Sequence, residues 1–327
     1  RSQFTVMLLR PASRTELAQL AASLVEGLAQ PWDLSEVGAQ YMGASLGISL
    51  YPDDSANSVE LVRHAHSALH ATKSAGRGSY RFYIEEFTQI TRGRLELRRR
   101  LHNALQAGEF ALVYQPQLNQ QRQTVGAEAL LRWSVDGKAV PPDEFIPLAE
   151  ESGLIVPIGL WVFETACRQM AQWRAEGWQV PVVSVNVSAL EFRQPGFVER
   201  ITALLTRYGL PAQQLELELT ESVLLHDAQE MEQVLASLTR QGLRLSIDDF
   251  GTGYSSMQQL ALLPFTELKL DRSFVDRCHA DPAHLAIIES SIELARKLGL
   301  KTVAEGVEDA ATWHLLARLG CDLCQGF

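Results

Sequence analysis

Apolar residues follow two rhythms along this chain. In the first part they recur at helical spacing in TELAQLAASLVEGLA and VELVRHAHSALHATKSAG, with short apolar runs around them: FTVMLLR, YMGASLGISLYP and SYRFY. Apolar positions three and four apart make one face of a helix, and short apolar runs bounded by Pro, Gly or Asp make strands. The pattern predicts strand, helix, strand, helix, strand up to about residue 87. Pro31 stops the first helix, Pro52 and Asp53 end the second strand, and Gly76 closes the second helix. From residue 110 the rhythm changes. FALVYQPQL opens a series of nearly continuous apolar runs separated by amphipathic stretches. Each later run ends in a carboxylate, an amide or a lysine: VGAEALLRW with Glu128, VVSVNVS with Asn186, LELELTES with Glu218 and Glu221, LRLSIDDFG with Asp248 and Asp249, TELKLD with Lys269, LKTVAEGVE with Glu305, and CDLCQGF with Gln325. Parallel strands covered on both faces read as apolar runs. In a (β/α) barrel their C-terminal ends converge on one mouth, where polar residues read as catalytic. The expected fold is therefore α/β, with a TIM-like (β/α)8 barrel at 110–327 and a smaller α/β unit at 1–87. Residues 88–109 read as a connecting helix. Its basic run, Arg92, Arg94, Arg98, Arg99 and Arg100, is read as a solvated face, the usual place for a charge run.

Length and composition agree with this division. A chain of 327 residues exceeds one ordinary domain, and 46% hydrophobic content supports real cores. A net charge of -10 argues against a general DNA partner. No apolar run is long enough for a membrane span and no signal peptide is visible, so no membrane contact and a cytoplasmic setting are expected, with any anchor or sensor lying upstream. The start at Arg1 and the stop at Phe327, where a closing helix is expected, read as the ends of a piece of something longer. Cys167, Cys278, Cys321 and Cys324 form no disulfide framework. Cys321 and Cys324 make a C-x-x-C without the second half of a zinc site, and are read as small buried side chains.

The strand-end residues have a chemistry in common. Glu128, Asn186, Glu218 and Asp248 offer three carboxylates and an amide oxygen, hard ligands suited to Mg²⁺ or Mn²⁺. So many acids in one mouth repel each other unless cations lie among them. Asp248 and Asp249 serve one metal each only if the strand ends there, as Gly251 and Gly253 suggest. An aspartate shared by two metals suits in-line displacement at phosphorus. Lys269 is placed to orient the attacking water or offset phosphoryl charge, and Glu305 to act as a base or to complete a metal shell. Any one of these acids alone would read as a helix cap; their coincidence on successive strand ends does not.

These residues carry a family resemblance. GAEALLRW, with Glu128-Ala129-Leu130, stands with YQP at Tyr114, FIPLAEESGLI, NVS, ELTES, DDFGTGYSS, KLD, AEGVE and QGF in an order that resembles the EAL-domain cyclic-di-GMP phosphodiesterases over residues 95–327. The resemblance implies hydrolysis of cyclic di-GMP to linear pGpG with Mg²⁺ or Mn²⁺, two ions per site, in a barrel whose first strand runs antiparallel. It implies Glu128, Asn186, Glu218, Asp248 and Asp249 as metal ligands, and Lys269, Glu305 and Glu128 as catalytic residues. Gln115, Arg132 and Gln325 are implied as substrate-binding, with Glu308 close by. Glu221 would brace DDFGTGYSS, coupling the site to a homodimer. The alternative is a silent receptor that binds cyclic di-GMP and signals through partners. Residues 1–87 resemble the second half of a GGDEF diguanylate cyclase domain, through ASLGISLYP and LVRHAHSALHATKSAGRGSYRFY. Its signature loop falls at Arg1-Ser2-Gln3-Phe4, where only the phenylalanine matches, so this unit is expected to be degenerate and regulatory or structural. His66 and His70 replace an aspartate and a tyrosine usual on that helix, and are read as structural rather than as a metal pair.

Overall fold

The computed structural model describes residues 3–9, 13–30, 32–34, 38–40, 43–74, 78–178, 181–220, 228–251, 260, 262–276 and 278–326. Two compact units emerge, Arg1–Arg100 and Leu101–Phe327, and the division falls inside the helix Glu85–Ala107.

In the first unit the helix Arg14–Ala29 is opened by Ser13, whose side chain accepts from the Glu16 N–H. An antiparallel pair follows, β1 Trp32–Leu34 and β2 Gly38–Gln40. β3 Leu46–Ile48 and β4 Tyr80–Phe82 are parallel and linked by the helix Ser58–Ser74. That helix packs so closely on β3 that a Cβ on Gly47 would lie 2.1 Å from the Ala65 carbonyl oxygen. The expected strand at FTVMLLR does not form: described residues 3–9 are exposed and outside any sheet. An apolar run becomes a strand only when a neighbour pairs its N–H and C=O groups, and no described strand does so.

The second unit is a closed eight-stranded barrel. Its strands are β5 Phe110–Asn119, β6 Thr124–Val135, β8 Val183–Val187, β9 Leu215–Thr220, β10 Arg244–Phe250, β11 Glu267–Leu270, β12 Lys301–Ala304 and β13 Leu323–Cys324; β7 Lys138–Val140 extends β6 as a hairpin. Neighbours from β6 through β8 to β13 are parallel. β5 is antiparallel to both β6 and β13 and closes the ring, the modification expected. Strand alternation divides the side chains. On β9, Leu215, Leu217 and Leu219 are wholly buried on the outer, helix-covered side, leaving Glu216 and Glu218 to the lumen. At the open end of the β5–β6 hairpin, Phe110 and Trp133 make an aromatic cluster with Phe145. Trp133 and Phe145 are fully buried, so truncation of either to alanine costs about 3–5 kcal/mol. Among the described residues no single helix is long and apolar enough to cross a membrane.

Candidate functional site

Register brings the polar strand ends to one level. Gln115 on β5 faces Glu128 on β6, and Asn186 on β8 faces Glu218 on β9. At the centre stands Lys269 of β11, 0% exposed. Its ammonium lies 2.5 Å from Glu305, 2.7 Å from Glu218, 3.4 Å from Glu128 and 3.5 Å from Asp248. Asn186 Nδ2 donates to Glu128 Oε1 at 2.6 Å, which turns the Asn186 amide oxygen away from that carboxylate. Gln325, just past β13, donates to Glu128 Oε2 at 2.5 Å and to Gln115 Oε1 at 3.1 Å. Eight of the residues named from the sequence thus form one connected group: Gln115, Glu128, Asn186, Glu218, Asp248, Lys269, Glu305 and Gln325.

The electrostatics follow from crowding. Burial disfavours the Lys269 ammonium, but Glu218, Glu128, Asp248 and Glu305 together hold its pKa well above the ordinary lysine value. Burial, then the charge of Glu128, drives the Glu218 carboxyl well above the usual range against the pull of Lys269. Burial is also the largest influence on Glu128, but Lys269 and the bonds from Gln325 and Asn186 outweigh it and leave that group below its ordinary value. Burial pushes Glu305 up to about 7. One buried oxygen, Glu218 Oε1, has no hydrogen-bond partner. Among the described residues no three acidic, histidine or cysteine side chains form a ready-made ligand cage. The Lys269 ammonium stands where the carboxylates converge, and its hydrogen bonds set their present orientation.

Asp248 and Asp249 escape the alternation that would point them apart. Asp249 has φ 55°, in the left-handed region, and the β10–β11 register shifts between Ile247 and Phe250. The Asp249 N–H donates to Asp248 Oδ1 at 2.9 Å. Burial, followed by Asp248 and Asp271, raises Asp249 to about 6. Asp271 was not singled out from the sequence. It caps the helix Arg272–Val275 by accepting from the Ser273 N–H, and KLD was its only sequence signal. Gln117 was also missed. It is buried at 2% exposure and donates to Gln325 Oε1 at 3.2 Å; the Q-x-Q alternation on β5 was its signal.

Arg132 and Glu308 stand apart from the group. Arg132 is four residues beyond Glu128 on the same face, roughly 13 Å along the strand, and donates to the Leu131 carbonyl. Glu308 accepts from Arg272 Nη2 at 2.7 Å in an exposed pair. Glu221 and most of DDFGTGYSS, residues 252–256, lie outside the described residues. Cys167, Cys278, Cys321 and Cys324 are all free and buried. His66 and His70 belong to no described three-ligand group.

Comparison with known proteins adds to this geometry. The EAL domain family matches residues 98–327, and the Diguanylate cyclase, GGDEF domain family matches residues 1–79. The bifunctional diguanylate cyclase/cyclic di-GMP phosphodiesterase MucR of Pseudomonas aeruginosa is 40% identical over 324 residues, 98% of this chain and 47% of that protein. The cyclic di-GMP phosphodiesterase PdeR of Escherichia coli is 34% identical over 316 residues, 96% of this chain and 48% of that protein. The chain thus spans about half the length of these curated relatives. A solved structure described as a PaMucR phosphodiesterase in complex with c-di-GMP is 43% identical, with a TM-score of 0.68, covering 71% of this chain and 95% of that one.

Proposed function

The chain belongs to the EAL domain family, and from that premise we propose that it hydrolyses cyclic di-GMP to linear pGpG, with Mg²⁺ or Mn²⁺ at the barrel mouth. The observation that carries this reading is the Lys269 hub: one buried ammonium among four carboxylates, three on strands β6, β9 and β10 and one just after β12. That charge excess calls for further cations. The donor set fits a hard divalent ion. Glu128, Asn186, Glu218, Asp248 and Asp249 offer only oxygens, and Glu218 Oε1 is already buried without a partner. These five residues would hold the metal, as one ion or two. A bound ion lowers the pKa of the attacking water and offsets charge on the phosphoryl group. Lys269 directs its ammonium at the phosphoryl oxygens as their charge develops. Glu305, with its carboxyl pushed up to about 7, takes the proton of the attacking water. Gln115 and Gln325 hold the dinucleotide beside the metal ligands, and Arg132, further out on β6, meets a guanine edge or a phosphate.

The remaining organisation is read in the same way. Residues 1–87 serve as a degenerate GGDEF-like unit, 88–109 as its connecting helix, and 110–327 as the phosphodiesterase barrel. Buried free thiols support a reducing, cytoplasmic setting. The chain forms a homodimer in which the segment DDFGTGYSS, braced by Glu221, takes part. The test is incubation of the purified chain with cyclic di-GMP and Mn²⁺ or Mg²⁺. Release of pGpG, abolished in Glu128→Ala, is expected; tight binding without product would make the chain a receptor instead.

A further inference from the structure

We propose that Gln117 is a positioning residue of the barrel mouth, fixing the amide of Gln325 and, through it, the carboxylate of Glu128. The inference rests on the hydrolase reading only in treating Glu128 as a metal ligand. Gln115 and Gln117 share the inward face of β5, and their register partners on β6 are Glu128 and Gly126. Gln117 Nε2 donates to Gln325 Oε1, so the oxygen end of that amide is engaged on the β5 side. A primary amide has one acceptor end and one donor end. Gln325 can therefore turn only its NH₂ group to Glu128 Oε2 and Gln115 Oε1. Rotated by half a turn, it would set oxygen against the Glu128 carboxylate and the Gln115 oxygen, and NH₂ against NH₂, losing three bonds and gaining three repulsions.

Gly126 makes room for this arrangement. A Cβ there would lie 2.6 Å from Gln117 Oε1, closer than side chains tolerate, and that amide would have to move. Gln117 thus stands one step behind Gln325, which stands one step behind the Glu128 carboxylate. Partners that orient a metal ligand from behind typically change metal affinity about 10- to 100-fold when removed.

The experiment titrates Mn²⁺ alone, by calorimetry, into the wild-type chain, Gln117→Met, Gln325→Ala and the double variant, with the melting temperature of each recorded. Gln117→Met is expected to weaken Mn²⁺ binding about tenfold and to add nothing in the Gln325→Ala background, because it acts only through that amide. Gly126→Ala, which displaces Gln117 without removing it, is expected to lose part of the same affinity and serves as the second variant should Gln117→Met fail to fold. Unchanged Mn²⁺ affinity in a folded variant, or a loss that adds in full to that of Gln325→Ala, overturns the assignment and leaves the hydrolase reading standing. Non-additive Mn²⁺ losses in a protein that releases no pGpG support the assignment and overturn the hydrolase reading. A wild-type chain that binds no Mn²⁺ overturns both.

Discussion

At the barrel mouth, polar side chains are buried against partners far away in sequence: Lys269 reaches Glu128, 141 residues upstream, and Gln325 reaches Glu128 from 197 residues downstream. In the first unit the buried polar contacts do a different job. The Thr72 hydroxyl donates to the Ala68 and Leu46 carbonyls, tying a helix to a strand, and His64 stacks on Tyr83 at 4.0 Å. Gln3 and Phe4, at the expected signature positions, are exposed. The Thr72 bonds satisfy backbone carbonyls, and neither contact leaves a charge in excess. The mouth instead gathers like charges out of water, which is unfavourable unless paired and hydrogen-bonded. Such an arrangement is kept for its chemistry, and the contrast separates a site from a scaffold better than burial alone does.

The largest effect expected from breaking this contrast is at Lys269. Lys269→Ala should lower kcat for cyclic di-GMP by about 10²–10³-fold while changing its dissociation constant little, because the ammonium matters most as phosphoryl charge develops. Comparable losses in both would remove that role. The same change leaves four carboxylates without their shared cation, so the chain should also lose about 3–5 kcal/mol of stability in metal-chelating buffer. Mn²⁺ at a hundred times its dissociation constant should return about 2.7 kcal/mol, read as a rise in melting temperature. A variant as stable as wild type in chelator would mean the carboxylates do not depend on Lys269.

Much of this site was legible because a barrel writes its mouth as polar ends on apolar strands. Glu128, Asn186, Glu218, Asp248, Lys269 and Glu305 each close such a run, and the double burial of the strands made the runs conspicuous. What could not be read was which end becomes the hub. On the sequence Lys269 is one strand end among several, and only ring closure puts its ammonium among carboxylates of β6, β9, β10 and the segment after β12. Gln117 was hidden for the same reason, since its partner lies 208 residues away. Asp271 went unremarked in KLD; it caps a short helix, and its proximity to Asp249 depends on the shifted register at the end of β10. FTVMLLR failed in the opposite sense: composition gave a strand former, but pairing makes a strand.

Glu191 offers a smaller, sharper test, because it is a buried acid in the barrel unit outside the mouth. Its Oε2 accepts from the Ser188 N–H at 3.0 Å and the Ser188 hydroxyl at 2.6 Å, completing a capping box after β8. Its other oxygen fills the space beside Gly159, where a Cβ would lie 1.4 Å away. Burial pushes the carboxyl up to about 7, opposed by the Ser188 bonds and helped by Glu150. A folded-state pKa above the unfolded value near 4.5 means the proton is held more tightly in the folded chain. The associated stability is therefore full below about pH 4.5 and is lost as pH rises through 7. The loss by pH 8 is on the order of 3 kcal/mol. Glu191→Gln should flatten this slope between pH 5 and 8 and raise the melting temperature at pH 8 while leaving Mn²⁺ affinity unchanged. An unaltered slope would place the pH dependence elsewhere, in the mouth itself.

The smallest effect belongs to the first unit. Phe4 is 86% exposed and Leu9 80% exposed, so neither withdraws much apolar surface from water, and burial contributes in proportion to the area withdrawn. Phe4→Ser and Leu9→Ser should each change the stability of this chain by no more than about 0.5 kcal/mol, the range of surface substitutions, measured by urea denaturation. The barrel makes the control: Leu217→Ser, on a wholly buried position of β9, should cost several times as much. If Phe4→Ser instead costs more than about 1 kcal/mol, that run is packed in solution, and the contrast between an organised mouth and an exposed run at described residues 3–9 no longer holds.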